Sequence, residues 1–577
     1  MLCGSGTAIG KVGTTSYPTS AEIISKNPIP IGTYIAIPFK ALDILSGKTV
    51  ECCAIGVISL TSYRRLLPVS PTTTASESIG IEDDMLRYAP SVARIIALIS
   101  SNGGNPSIKV PNVPPPPDSE VYLAPTEILS ILFSSNKEDS IKIGHLLTRP
   151  EVEIYVNLNA LTKHLFITGT TGSGKSNTVA ILADRIASYG GTVVIYDVHG
   201  EYTTLDVNEN VRKISIDYKM NPLEIPPKVL ARMIVPEGGA TLQRMLVSRA
   251  IAKAQKVFKE LKTRYGLTDK AIENFVATVK ELIKEPKLSL ESSLYRTMFG
   301  EKIEVYEPEE EVSIELPDIN SKLIGLFKEL VKKLVESYSD NKGRYGESAE
   351  KACAKVDEFF ENAAISFETP NIDTLLGPST LVVLNASLLS DEQKDYVLKI
   401  VLDELLWLSK HRYFVGVPQP VLVFIEEAHL FLSTTKNTVS KFSIERVARE
   451  GRKFGLALGI ISQRPRNIDL NTLSQVQNFV FMKLVQETDQ QAIMNASDML
   501  TEDLARSLAS MGTGEALVIG EWVGRFPVFV KMDKHEGKKI GASLDISEIW
   551  RWNRSKSIAK IYSPASEATK DFEELFS

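Results

Sequence analysis

The stretch LFITGTTGSGKSNTVA, residues 165–180, decides the fold of this chain. Its segment GTTGSGKS matches the phosphate-binding pattern G-x-x-x-x-G-K-S/T, with an apolar strand before it and an amphipathic helix after it. Glycines let backbone N–H groups wrap phosphates, and the helix N-terminus adds a favourable field. The sequence therefore predicts a nucleotide site. Its residues are Gly169, Thr170, Thr171, Gly172, Ser173, Gly174, Lys175, Ser176 and Asn177.

Two acidic residues, Glu426 and Glu427, follow the apolar run VLVFI. Ligands of open α/β sheets bind at the carboxyl ends of the strands, so both acids are expected beside the phosphates. Lys175 is expected to neutralise the β- and γ-phosphates of ATP, while Ser176 and Glu426 hold Mg²⁺. Glu427 is expected to orient or deprotonate the attacking water. His429 either senses the γ-phosphate or caps the local turn.

Apolar runs alternate with helical patterns from the phosphate loop onward, which is typical of a parallel sheet covered on both faces. The predicted strands are 165–168, 192–197, 380–385, 421–426, 456–462 and 479–484, with antiparallel additions at 515–520 and 527–532. The expected fold class is therefore α/β, with a RecA-like P-loop ATPase core.

Two further units are predicted around this core. Short β-branched runs near the N-terminus, separated by Gly, Pro, Ser and Thr, indicate a small β-barrel. A long interruption of the core repeats apolar residues at three- and four-residue spacing, which indicates an inserted helical subdomain. The expected domains are a barrel at 1–110, a linker at 111–145, the core at 146–205 and 372–535, the helical insertion at 206–371 and a C-terminal extension at 536–577.

Composition places the chain among ordinary globular proteins. It has 577 residues, 43% hydrophobic and 24% charged, and a formal net charge of −6. No run of about 18 apolar residues is present, so no membrane span is expected, and the N-terminus does not have the pattern of a secretory signal. The four cysteines are too few and scattered for a disulfide scaffold or zinc site, so reduced thiols and a cytoplasmic location are expected.

A basic segment, IERVAREGRKFG, precedes the next predicted strand and contains Arg446, Arg449, Arg452 and Lys453. It is either a solvated helix face or the source of an arginine that reaches the γ-phosphate bound by a neighbouring subunit. Such an arginine is worth roughly 10³–10⁵ in rate. Gln463, at the end of the following strand, is placed to report loss of the γ-phosphate.

The motifs taken together resemble one known family. GTTGSGKSNT, YDVHGEY (196–202), FIEEAHLF, REGRKFG, ISQRP and GEALVIGEWVGRFPVFVKM (514–532) occur in the order of the HerA-type translocases, which are hexameric ATPases related to the FtsK DNA pump. The N-terminal segment also resembles the small barrel of that family. The resemblance covers most of the chain, apart from the helical insertion and residues 536–577.

This resemblance implies a homo-hexameric ring that uses ATP and Mg²⁺ to pump double-stranded DNA, working with a NurA-type nuclease on broken DNA ends. It implies that Lys175 and Ser176 grip the nucleotide and that Glu427 is the catalytic acid. It further implies that Arg452 is the candidate for the arginine finger and that Gln463 matches the sensor position. The YDVHGEY loop is either a structural turn or a substrate contact.

DNA contacts are expected from loops that face a central pore. The segment STTKNTVSK offers Lys436 and Lys441, and QRPRNIDLNT offers Arg464 and Arg466. These groups suit phosphate oxygens without reading sequence. A basic bore within an acidic exterior would reconcile DNA binding with the negative net charge, although both segments are also compatible with ordinary polar loops.

Two other functions remain open from the sequence. Secretion and conjugation ATPases share such a core and move protein or single-stranded DNA at a membrane. A nucleotide-gated scaffold that docks a partner is a third possibility. The predicted barrel and the absence of a membrane span weigh against the first, and Glu427 and Arg452 weigh against the second, because a scaffold needs no fast hydrolysis.

Overall fold

The structure is a computed structural model. It describes residues 3, 7–43, 48–65, 87–101, 107–134, 138–236, 238–265, 269–285, 290, 293–294, 296, 316–338, 346–524, 526–537, 547 and 550. Most of the acidic segment at 306–318 and the C-terminal residues after 550 lie outside the described residues.

The N-terminal unit is a closed β-barrel. Its strands are β1 (Gly10–Tyr17), β2 (Ser20–Ser25), β3 (Tyr34–Asp43), β4 (Lys48–Thr61), β5 (Arg64–Arg65), β6 (Arg87–Ser101), β7 (Ser107–Lys109) and β8 (Glu120–Leu123). Pairing follows the order β2-β1-β8-β3-β4-β6, and β2 also pairs with β6, which closes six strands into a ring. Ile23, Ile35 and Ile58 are fully buried inside it. The predicted barrel is confirmed.

The second sheet contains eleven strands among the described residues. They are β9 (Ser140–Leu146), β10 (Arg149–Asn157), β11 (Leu165–Thr168), β12 (Thr192–Asp197), β13 (Arg212–Asp217), β14 (Thr380–Asn385), β15 (Val421–Ile425), β16 (Leu456–Ser462), β17 (Asn478–Phe481), β18 (Glu515–Gly520) and β19 (Val528–Met532). Their order is β10-β9-β19-β18-β17-β11-β16-β15-β12-β14-β13. The seven strands from β17 to β13 in this order are parallel, and β18, β19, β9 and β10 are antiparallel additions.

The helices cover this sheet and form the insertion. They are α1 (Thr126–Ser134), α2 (Lys175–Ser188), α3 (Pro227–Ile234), α4 (Thr241–Tyr265), α5 (Asp269–Lys284), α6 (Leu316–Ser337), α7 (Gly346–Asn362), α8 (Ile372–Leu375), α9 (Asp391–Phe414), α10 (Ser440–Phe454), α11 (Leu470–Leu473), α12 (Glu487–Ala496) and α13 (Glu502–Ser507). The α/β class and the helical insertion are therefore confirmed. Helices α4 and α6 pack together through the apolar stripes that their spacing predicts, with Val257 and Phe327 fully buried.

Strand membership differs from the predicted domain limits at two places. The predicted linker, 111–145, contributes β8 to the barrel and β9 to the large sheet. The predicted insertion, 206–371, begins with β13, which pairs in parallel with β14 at the edge of the large sheet. β9 and β13 alternate polar and apolar residues, because each is covered on only one face or paired along only one edge.

The expectation of reduced thiols is wrong for two of the four cysteines. Cys3 and Cys53 form a disulfide with their Cα atoms 6.1 Å apart, which ties the start of the chain to β4. Cys52 and Cys353 are buried free thiols, as expected. The two bridged residues are 50 positions apart, and only the folding of the barrel brings them together. The cysteine count therefore gives no support to a reducing compartment.

Within the described part of the chain, no helix combines the length and the apolar character needed to cross a membrane.

The arrangement of the parallel strands positions the candidate site. In the centre of the sheet, β11, β12, β15 and β16 are adjacent, and every residue of these four strands is buried. Their carboxyl ends lie at one edge. That edge carries the phosphate loop after β11, Asp197 at the end of β12, Glu426 and Glu427 after β15, and Gln463 after β16.

Candidate functional site

The phosphate loop connects the buried strand β11 to the N-terminus of α2. Gly174 has a φ of 109°, in the left-handed region that glycine tolerates best, and it is the residue that leads into the helix. The Lys175 ammonium donates hydrogen bonds of 3.0 Å to the carbonyl oxygens of Gly169 and Thr170. Burial lowers the pKa of Lys175, against the opposing charges of Glu427, Glu201 and Glu426. The ammonium thus lies inside the turn where phosphate is expected.

Backbone from three distant segments holds this loop in place. The N–H of Thr170 donates to the carbonyl of Lys483, and the N–H of Gly514 donates to the carbonyl of Ser173, both at 2.8 Å. The Asn177 amide bonds to the carbonyl of Asp533 and accepts from the N–H of His535. The part that these segments play in holding the phosphate loop is not predicted by the sequence. Because most of these contacts use main-chain atoms, many different side chains are compatible with them and the sequence does not reveal them.

Glu427 lies at the centre of a hydrogen-bonded group between the loop and β16. It has a φ of 45°, which is unusual for a residue other than glycine, and its side chain is buried. One oxygen lies 3.1 Å from Nδ1 of His429, and the other accepts a hydrogen bond from the amide of Gln463. Although burial opposes ionisation, the hydrogen bond and charge of His429, together with Lys175 and Gln463, hold the pKa of Glu427 below its usual value.

Glu426, predicted as a Mg²⁺ ligand, is turned toward the neighbouring strand end. Its Oε2 accepts hydrogen bonds from the backbone N–H groups of Val198 and His199 at 2.9 and 3.3 Å. Burial, followed by the negative charges of Asp197 and Glu201, raises the pKa of Glu426 well above its usual value. This carboxyl group therefore contacts the YDVHGEY loop.

The Ser176 hydroxyl contacts a different acid. It donates a hydrogen bond of 3.0 Å to Oε2 of Glu201, which comes from the YDVHGEY loop. A hydroxyl and a carboxylate are the hard oxygen donors that Mg²⁺ prefers, and both lie at the first turn of the helix that follows the phosphate loop. The residues present therefore fit a Mg²⁺ ion bound together with phosphate oxygens. The motif YDVHGEY is recognisable in the sequence, but its contact with Ser176 is not.

The basic helix α10 presents its cations unequally. Arg449, Arg452 and Lys453 are exposed, whereas Arg446 is half-buried and lies 3.9 Å from Asp403 of its own chain. Arg449 and Arg452 are therefore the guanidinium groups of this helix that are available to another molecule. Lys163, which precedes β11, forms an ion pair with Glu521.

The two loops predicted to bind DNA lie side by side. Ser433 and Ile468 form an isolated antiparallel bridge, and the N–H of Thr434 donates to the carbonyl of Asn467 at 3.2 Å. A cavity of about 650 Å³ beside them is lined by Lys436 and Arg464, among others, and both of these side chains are exposed.

The other two predicted DNA contacts are engaged within the chain. Lys441 pairs with Asp469 at 2.9 Å. Arg466 donates to Thr488 and Gln486 and lies 3.8 Å from Asp489. The structure therefore separates the four predicted cations into Lys436 and Arg464, which line the cavity, and Lys441 and Arg466, which contact acidic residues of their own chain.

This chain has a phosphate loop after one parallel strand and a buried glutamate after another, in a sheet that also carries antiparallel strands. These features place it in the class of P-loop ATPases. The family model described as the central domain of the helicase HerA matches residues 141–405. The chain is 33% identical to the DNA double-strand break repair helicase HerA of Sulfurisphaera tokodaii, over 69% of this chain and 70% of that protein. A probable helicase of Methanocaldococcus jannaschii is 28% identical over 91% of both chains. The chain belongs to the HerA helicase family and is a P-loop ATPase.

Among solved structures, VirB4 of Thermoanaerobacter pseudethanolicus is similar at 18% identity, with a TM-score of 0.37, over 69% of this chain and 97% of that one. This similarity is too distant to bear on what the ATPase moves.

Proposed function

We propose that the chain is one subunit of a homo-hexameric ring that couples ATP hydrolysis to translocation along double-stranded DNA. Its biological role in this proposal is the resection of broken DNA ends, together with a NurA-type nuclease, in the cytoplasm. Family membership and the names of the relatives support the DNA substrate. The observation that carries the proposal is that the groups needed for hydrolysis are divided within the chain. Glu427 lies beside the phosphate loop, whereas Arg449 and Arg452 are exposed and so are available to complete the site of a neighbouring subunit.

In this mechanism the phosphate loop and Lys175 bind the β- and γ-phosphates of ATP. Ser176 would help to hold a Mg²⁺ ion, which would supply positive charge next to the phosphates during transfer. Glu427 orients and deprotonates the attacking water, and its depressed pKa keeps it ionised for this task. Gln463 contacts both Glu427 and Thr171, so loss of the γ-phosphate would alter its hydrogen bonds and the strand end that carries it.

The position of Gln463 also suggests how hydrolysis reaches DNA. Gln463 is followed at once by Arg464, which lines the cavity beside Lys436. A rotation of the strand end at β16 would therefore displace an exposed cation of the proposed DNA loop. Because Arg464 and Lys436 carry only charge, contact with phosphates would follow the duplex without reading its sequence.

The test is the ATPase rate as a function of protein concentration, with and without linear duplex DNA, at two salt concentrations. A ring on DNA predicts a specific rate that rises cooperatively with concentration, is stimulated by duplex and is less stimulated at high salt. A rate indifferent to DNA and concentration would contradict the proposal. Stimulation by single-stranded DNA alone would favour a conjugation-type motor instead.

A second measurement separates a motor from a nucleotide-gated scaffold. Replacing Glu427 by Gln should reduce hydrolysis by roughly 10²–10⁴-fold while ATP binding is kept. A motor would then stop moving on DNA, whereas a scaffold would still hold its partner in ATP. The exposed Glu502 of α13, changed to Gln, is the matched control and should leave the rate unchanged.

A further inference from the structure

Five successive backbone N–H groups converge on two buried carboxyl groups beside the phosphate loop. The N–H groups of His199, Gly200, Glu201 and Tyr202 donate to Asp197 at 2.7 to 3.2 Å. Those of Val198 and His199 donate to Glu426. Asp197 ends β12 and Glu426 follows the adjacent β15, so the segment 198–202 is wrapped around two neighbouring strand ends.

The conformation of the segment 198–202 fixes the direction of the Glu201 side chain. Gly200 has a φ of 78°, and a Cβ there would lie 3.3 Å from the Ser387 hydroxyl, so the tight turn needs glycine. Tyr202, at the end of the segment, is fully buried and anchors it. Glu201 lies between these two and is half-buried, with its carboxylate reaching the Ser176 hydroxyl.

From this geometry we propose that Glu201, rather than Glu426, is the carboxylate that faces the metal with Ser176, and that Asp197 and Glu426 are positioning residues that hold the 198–202 turn. The proposal rests on the ATP-hydrolysing part of the proposed function and is independent of what the ring moves.

The contacts of Ser176 favour this assignment. Its hydroxyl donates its one proton to Glu201, so the oxygen keeps a lone pair to offer as a ligand even with the Tyr202 hydroxyl beside it. A carboxylate that accepts the proton of a ligating hydroxyl orients that ligand and makes it more basic, and such partners typically change metal affinity by 10- to 100-fold.

The contacts of Glu426 oppose the alternative. Turning Glu426 toward Ser176 would withdraw its Oε2 from Val198 and His199. Val198 is almost completely buried, so its N–H would lose its partner away from water. The same movement would loosen the turn that presents Glu201.

The test uses the full chain and compares E201Q with E426Q. Affinity for a fluorescent ATP analogue is measured in Mg²⁺ and in EDTA, and Mn²⁺ binding in the presence of the analogue is followed by electron paramagnetic resonance. We expect the increase in analogue affinity caused by Mg²⁺ to be about 10- to 100-fold smaller in E201Q than in the unaltered chain, while the affinity in EDTA is unchanged. We expect E426Q to keep this increase, because a Gln oxygen still accepts the two backbone hydrogen bonds.

If E201Q keeps the Mg²⁺-dependent increase in affinity and E426Q loses it, the proposal is overturned and Glu426 is the carboxylate that faces the metal. Equal loss in both would also overturn the division of roles. Unchanged affinity in EDTA shows that a variant has a folded phosphate loop, and a variant that fails this criterion is replaced by E201D or E426D. No DNA is present, so a wrong DNA substrate leaves the result intact, whereas absence of nucleotide binding in the unaltered protein would contradict the ATPase mechanism itself.

Discussion

The hydroxyl of Thr171 donates a hydrogen bond of 2.6 Å to Oε1 of Gln463. One residue lies in the phosphate loop and the other at the end of β16, 292 positions apart. The amide nitrogen of the same Gln463 donates to Glu427. A single amide group therefore connects the nucleotide loop with the acid that is proposed to activate water.

Gln463→Ala should therefore slow hydrolysis more than it weakens binding. Without the amide, Glu427 loses one of the two side chains that fix its orientation, and a misplaced catalytic group typically costs roughly 10²-fold in rate. We expect kcat to fall by this amount with little change in ATP affinity, measured by steady-state ATPase assay and by equilibrium binding. Gln475→Ala, at an exposed position of the following segment, is the control. An unchanged kcat would remove Gln463 from the mechanism.

Arg452→Ala tests whether the site is shared between subunits. If Arg452 acts in a neighbouring site, the variant should hydrolyse ATP roughly 10³- to 10⁵-fold more slowly but bind it normally. Mixing it with inactive Lys175→Ala subunits should restore part of the activity, because some sites then combine an intact phosphate loop with an intact arginine. Lys453→Ala, at the adjacent exposed position, should stay active. Failure of the mixture to recover, with rings present by light scattering, would argue that Arg452 acts within its own subunit or not at all.

The proposed DNA loops give a paired experiment. Lys436→Ala with Arg464→Ala removes the two cations that line the cavity, and we expect weaker duplex binding for all sequences. The slope of log affinity against log salt should become shallower by about 0.9 for each phosphate that the protein no longer neutralises. Fluorescence anisotropy with a labelled duplex measures both quantities.

The matched control is Lys441→Ala with Arg466→Ala, because these side chains pair with Asp469 and Asp489. The same net charge is removed, but we expect the salt slope to be kept. If the two double variants behave alike, binding follows net charge and the loops have no special role.

The sequence was most informative where strands are buried on both faces. The runs 165–168, 192–197, 380–385 and 456–462 coincide with β11, β12, β14 and β16 to the residue, because a continuous apolar run between polar turns has few alternative structures. β9, β10 and β13 were missed, since their alternating side chains suit an edge or a partly covered sheet and also suit a loop. The Cys3–Cys53 bridge has no local signal of any kind.

Only those parts of the candidate site that are contiguous in the sequence could be predicted. The phosphate loop is a contiguous pattern whose chemistry follows from its glycines and Lys175. The directions of Glu426 and Glu201 are set by a hydrogen-bonded turn between two strands that are far apart in sequence, so the order of residues in the chain gives no signal that Ser176 contacts Glu201. Likewise, Lys441 and Arg466 look like DNA contacts in sequence, and only the structure reveals the acids beside them.

A charged contact joins the barrel to the ATPase core. Arg94 of β6 donates two hydrogen bonds to Asp503 of α13, at 2.8 and 3.2 Å. Asp503 also accepts from the hydroxyl of Thr501. Although burial opposes ionisation, these partners and Ser59 hold the pKa of Asp503 at about 2, against an ordinary 3.8.

Arg94→Met should therefore destabilise the protein in a pH-dependent way. The folded-state pKa of Asp503 is depressed, so its contribution is complete above about pH 5 and is lost progressively as the pH falls to 2 and below. We expect the free energy of unfolding to drop by about 2 kcal/mol at neutral pH, and the difference from the unaltered chain to vanish near pH 2, measured by urea denaturation. Arg506→Met, which breaks an exposed ion pair with Glu502 on the same helix, should change stability by less than about 0.5 kcal/mol. A loss of stability in Arg94→Met that persists unchanged at pH 2 would mean that its methylene packing, and not its charge, holds the barrel on the core.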